Sequence, residues 1–143
     1  NQQMYDNLQT TFANDKQLCL LGFTDQVSLL MDASDVIFTK PGGITSTEAI
    51  VKNIPIVHTA PIPGLENYNA RFFHNHGLSY HTNDTNQQVA IAMRLCEDKA
   101  FRNRMLQQQR LNSNPHTSDD VIDLILNKQE IVYEEQETTH IAR

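Results

Sequence analysis

The run Thr39-Lys-Pro-Gly-Gly-Ile-Thr-Ser-Thr-Glu-Ala49 constrains the fold more than any other part of the sequence. It joins a short β-prone stretch, Val36-Ile-Phe-Thr39, to a segment whose pattern predicts a helix over Ser46–Lys52. Gly42 and Gly43 lack a Cβ, so the backbone there can bend sharply and come close to a ligand. The unpaired N–H groups of a helix start, with the positive end of the helix dipole, favour an anion. The spacing matches neither G-x-G-x-x-G nor G-x-x-x-x-G-K-[ST], so the turn is neither a dinucleotide fingerprint nor a Walker loop. Lys40 reads equally well as a phosphate partner or as an exposed strand-end lysine. Glu48 also has two readings. Thr45-x-x-Glu48 has the form of a capping box, while a carboxylate one turn into such a helix could take the hydroxyls of a ribose.

The rest of the chain sets this turn in a repeating order. Leu8, Thr11 and Phe12 predict the buried side of a first helix, which Asn1 enters part-way. Leu18-Cys-Leu-Leu21 is a continuous apolar run, the pattern of a strand covered on both faces. A helix follows from Asp25, with Val27, Leu30, Met31 and Ser34 on one side. Val36–Phe38 and Pro55–His58 predict two more strands, and Leu78–Tyr80 a fourth. Helices are predicted over Asn67–Asn75, along a face made by Val89, Ala92, Met93 and Cys96, over Lys99–Leu111, and from a cap at Thr117-Ser-Asp-Asp120. Strand and helix alternating in this way predict an α/β fold, a Rossmann-like parallel sheet with helices on both faces. Ligands bind such sheets at the carboxyl ends of the strands. Gly22–Thr24, Lys40–Thr45 and Pro61–Glu66 all fall at that rim. In the last of these, two prolines and Gly64 hold the loop in few conformations ahead of Glu66 and Asn69. The alternative is a stiff connector in which Asn69 is a local cap.

Composition narrows the classes. A length of 143 residues with 39% hydrophobic content suits one globular domain. The reading is a domain over residues 1–130 followed by a polar tail, 131–143. A net charge of −6 argues against nucleic acid as the main partner. No apolar run reaches the ~18 residues of a membrane span. Cys19 and Cys96 are read as reduced core residues, which suits the cytoplasm. The six histidines are scattered, so no metal is expected. His116, Asp119 and Asp120 stand at a helix start and read as a solvated cap.

Together, Asp35-Val-Ile-Phe-Thr-Lys-Pro-Gly-Gly-Ile-Thr-Ser-Thr-Glu-Ala-Ile50, Ile54-Pro-Ile56 and Pro63-Gly-Leu-Glu-Asn-Tyr-Asn-Ala70 resemble the donor half of two-Rossmann-domain (GT-B) glycosyltransferases. The similar branch holds the monogalactosyl- and processive glucosyl-diacylglycerol synthases and the N-acetylglucosamine transferase of peptidoglycan synthesis. The resemblance runs from about Leu18 to Leu111. It implies a C-terminal domain that holds a UDP-sugar and passes its hexose to a lipid such as diacylglycerol. Phe23 and Thr24 would then flank the uracil, Lys40, Gly42, Gly43, Ile44 and Thr45 would serve the diphosphate, and Glu48 would take the ribose. Gly64, Leu65, Glu66 and Asn69 would face the sugar. The family usually has glutamine where this chain has Leu65, whose side chain cannot hydrogen-bond, so the identity of the sugar does not carry over.

The resemblance also implies that an acceptor domain and a first glycine-rich loop lie before Asn1. On that expectation the chain is a donor-binding fragment, inactive alone, of an enzyme peripheral to the cytoplasmic face of a membrane. The UDP-sugar is a substrate, and no cofactor is implied. An exposed sheet edge would let two copies of the fragment pair. Two rival readings are a UDP-sugar epimerase, which needs no acceptor, and a nucleotide-binding module without catalysis.

Overall fold

A computed structural model of the protein describes residues 1–126. The chain divides into two units, Asn1–Ser113 and a second that begins at Asn114. In chain order the first unit contains α1 (Gln2–Thr11), α2 (Val27–Asp32), β1 (Ile37–Thr39), α3 (Gly43–Val51), β2 (Ile56–His58), α4 (Leu65–Asn75), β3 (Tyr80–His81), α5 (Thr85–Glu97) and α6 (Lys99–Asn112). The described part of the second unit carries α7 (Thr117–Leu126), which opens with His116 Nδ1 3.6 Å from Asp119 Oδ2, both side chains exposed. The expected polar tail lies outside the described residues.

Three strands form one parallel sheet in the order β1-β2-β3. Ile37 pairs with Ile56 and Thr39 with His58; Val57 then pairs with Tyr80 and His58 with His81. All three strands therefore end on one side. Alternation along β2 builds the core, because neighbouring side chains leave a strand on opposite faces. Ile56 packs with Ala49 and Ile50 of α3, Phe73 of α4 and Leu78. Val57 packs with Ala92 and Leu95 of α5 and with Phe101 and Met105 of α6. This is the predicted Rossmann-like arrangement, a parallel sheet with helices on both faces.

The helix ends follow local chemistry. Asp84 caps α5, its carboxylate accepting from the amides of Asn86 and Gln87. Asp98 caps α6 by accepting from the Phe101 amide, which holds its pKa below the ordinary value. Gly77 follows α4 with a φ of +69°, a left-handed turn that favours glycine. Gln109 of α6 is fully buried, and its amide donates to Ile54 O and Leu78 O, 2.9 Å each. One side chain thus ties the entries to β2 and β3.

Four sequence expectations are corrected. Leu18–Leu21 is not a strand: it pairs with none of the three strands, and Leu18 and Leu21 are about half exposed. An apolar run takes strand form only where a neighbour receives its backbone hydrogen bonds. Cys19 and Cys96 are exposed rather than core residues. α5 buries Gln88, Ala92 and Leu95, while Val89 and Met93 of the predicted face are more than half exposed and Cys96 too is outside the core. α1 fully buries none of its residues: Leu8 of the expected face is half-buried, while Thr11 and Phe12 are exposed.

Candidate functional site

The glycine turn sits where the first parallel strand ends. β1 stops at Thr39, Lys40 is exposed, Pro41 is buried, and the Gly42 amide donates to Lys40 O at 2.7 Å. This three-residue γ-turn, Lys40-Pro41-Gly42, swings the chain directly into α3. The helix begins at Gly43, three residues before the expected Ser46, and Gly42 is its N-cap with no side-chain capping bond. Thr45 is therefore inside the first turn, and the Thr45–Glu48 capping box is not formed. Gly43 takes helical geometry without strain, so the helix runs back to the turn itself. The helix N–H series opens with Ser46 donating to Gly42 O at 3.2 Å. The amides of Gly43, Ile44 and Thr45 precede it and have no partner within the helix.

Side chains around this helix start leave it open. Neither Gly42 nor Gly43 has a left-handed φ, and a Cβ placed on either would meet nothing within 4 Å. Ile44 is strongly exposed and Thr45 half-buried. The Thr47 hydroxyl is used locally, donating to Gly43 O at 2.8 Å and Ile44 O at 2.9 Å. Glu48 is exposed on the face it shares with Ile44 and Thr45, at positions i+4 and i+3 from them.

The loop after β2 meets this turn. Asn69 Nδ2 of α4 donates to Pro41 O at 3.1 Å, linking the helix that follows the β2 loop to the turn that follows β1. Asn69 is thus a long-range tie rather than a local cap. Glu66 Oε2 accepts from the Ile62 amide at 2.6 Å, closing the Ile62–Glu66 loop on itself. Gly64 stands at φ +112°, ψ −126°, a conformation open only to glycine, and Leu65 projects into solvent at 77% exposure.

Lys40–Thr45 and Glu48 lie together at the start of α3, and Asn69 of α4 is tied to that turn at Pro41. Phe23 is fully exposed and lines a groove with Tyr5 and Leu8 of α1 and with Leu20–Gly22. Thr24 is half-buried, its hydroxyl accepting from the Gln26 amide at 3.1 Å.

Beneath the helix start lies a polar cluster that the sequence reading missed. His58, at the end of β2, is fully buried, with Nε2 3.0 Å from Ser46 Oγ and Nδ1 2.9 Å from Ser79 Oγ. Burial, followed by the charge of His81, lowers its pKa from 6.5 to about 4. Only the alternation of Ile56-Val-His58 hints at this, since it puts His58 on the same face as Ile56.

A turn that opens helix amides at the carboxyl edge of a parallel sheet is common to many nucleotide-binding folds, and comparison with known sequences decides among them. The model of the family "Glycosyl transferases group 1" matches residues 1–112. The chain belongs to that family. Similar proteins include the "Processive diacylglycerol beta-glucosyltransferase" of Bacillus pumilus (strain SAFR-032), 30% identical over 116 residues, which cover 81% of this chain and 30% of that protein. The protein of the same name from Bacillus subtilis (strain 168) is 29% identical over 123 residues, 86% of this chain and 32% of its own length. That of Staphylococcus carnosus (strain TM300) is 29% identical over 110 residues, 77% and 28%. The chain therefore spans about a third or less of these relatives. Among the described residues, no helix is long and apolar enough to cross a membrane.

Proposed function

We propose that this chain is the donor-binding part of a glycosyltransferase that moves a hexose from a UDP-sugar to a lipid acceptor such as diacylglycerol. The observation that carries the reading is the uncapped start of α3 at the end of β1. Gly42 and Gly43 have no conformational or packing reason to be glycine, and the space beside them suits a ligand's diphosphate. The amides of Gly43, Ile44 and Thr45 would donate to it, with Lys40 available for the remaining charge. Glu48, one turn on, would accept from the ribose hydroxyls. Glu66 and Asn69 act at the sugar end largely by fixing the loop, since their hydrogen bonds go to Ile62 and Pro41.

In this reading the reaction is a direct displacement. The acceptor hydroxyl attacks the anomeric carbon as the bond to the UDP oxygen breaks, and the helix start receives the charge that develops on UDP. The names of the relatives support a lipid acceptor such as diacylglycerol; on the same proposal the enzyme works at a membrane surface from the cytoplasm. Glu48→Ala, made in the enzyme that carries this chain, tests the ribose assignment by calorimetry with UDP. Loss of a charged hydrogen-bond acceptor predicts roughly tenfold weaker binding or more. Unchanged affinity would remove Glu48 from the site.

A further inference from the structure

The Ser46–His58–Ser79 cluster lies in an otherwise apolar layer of Ala49, Ile50, Ile56, Phe73 and Leu78. The Phe73 ring centroid is 5.5 Å from that of His58. Both serines and the imidazole are buried, so each polar atom needs the partner it has. A neutral imidazole offers one donor nitrogen and one acceptor. One serine therefore donates to the ring and the other accepts from it.

Apolar contacts between a helix and a sheet tolerate small slides, whereas a buried hydrogen bond fixes one register. Ser46 is the residue directly after Thr45, the last of the three free amides. Its bond is thus made within one turn of them, to the strand end that closes the rim. We infer that His58, acting through Ser46, is a positioning residue that sets where the Gly43–Thr45 amides stand above the sheet and so tunes affinity for a nucleoside diphosphate. The inference rests on the donor-binding reading above. Ser79 holds the far side of the ring and so keeps Nε2 pointed at α3.

Two variants separate positioning from mere packing. The amide of His58→Gln reaches the place of Nε2 and can renew the bond to Ser46. That of His58→Asn reaches only the place of Nδ1, so it meets Ser79 and leaves Ser46 unpaired. In the intact protein, UDP binding is measured by calorimetry, and the resonances of the Gly43, Ile44 and Thr45 amides by NMR. The glutamine variant is expected to bind UDP within roughly twofold of the parent, and the asparagine variant roughly tenfold more weakly with those resonances displaced. Unchanged UDP binding and unmoved resonances in His58→Asn would overturn the inference. If neither variant folds, Ser46→Ala, close to the same shape, takes their place with the same two outcomes. Should the parent itself bind no UDP, the donor-binding reading falls, and the amide resonances alone then decide whether His58 sets the helix start.

Discussion

Gly42 and Gly43 differ in kind from Gly64. At φ +112° Gly64 holds a backbone that a side chain would strain, so its replacement costs stability whatever binds nearby. Gly43 is helical with open space at its Cβ position, and alanine there suits a helix better than glycine. Gly43→Ala should therefore leave the thermal midpoint unchanged or slightly raised while weakening UDP binding. Calorimetry and thermal melting on the same sample check both halves, and intact UDP affinity would count against a close diphosphate. His58 gives a second prediction. Its pKa falls from 6.5 to about 4 on folding, so the unfolded chain takes up a proton first as the pH drops. Stability is full above about pH 6.5 and is progressively lost as the pH falls toward about 4. Between about pH 7 and pH 5 the loss is on the order of 2 kcal/mol. Urea midpoints at the two values should show it, and His58→Gln should flatten the difference. The glycine turn was legible because glycine pairs after a β-prone run are local signals. The bond from His58 to Ser46 was not, since it joins residues 12 apart that only the fold makes neighbours.

Elements were legible in order and type more than in extent. β1, α3, β2, α4, β3, α5 and α6 all appear in the predicted sequence, because each carries its own period and its own stop. The start of α3 was misplaced because Ser and Thr suggested a cap where an unstrained glycine already continues the helix. In α5 the apolar residues Val89, Ala92, Met93 and Cys96 do lie at helical spacing, yet the sheet selects a neighbouring stripe. Gln88 enters the core there because its amide donates to Thr82 O at 2.7 Å. The two stripes differ measurably. Leu95→Ala should cost about 2–5 kcal/mol, as for a fully buried leucine, whereas Met93→Ala should change stability by less than about 0.5 kcal/mol. Equal effects in urea unfolding would restore the sequence-based face. Leu18–Leu21 shows the opposite limit of local reading. Its composition is that of a strand, but strand form depends on a partner that no window of sequence contains.

Across the whole molecule, parallel strands must wait for the chain between them. Ile37 meets Ile56 across α3, and Val57 meets Tyr80 across α4, so neither pairing is a hairpin that can close by itself. Gln109 reaches further still, to carbonyls 55 and 31 positions earlier. Contacts of such span carry the largest loop-closure cost and are made late. Gln109→Leu would leave two buried carbonyls without a donor, a loss of about 2 kcal/mol or more. Stopped-flow chevrons should place that loss mainly in faster unfolding, with the folding arm little changed; a slowed folding arm would instead make Gln109 part of the nucleus. The amide clip on α6 then acts as a latch. It contributes little to finding the fold and much to how long the protein, once folded, stays closed.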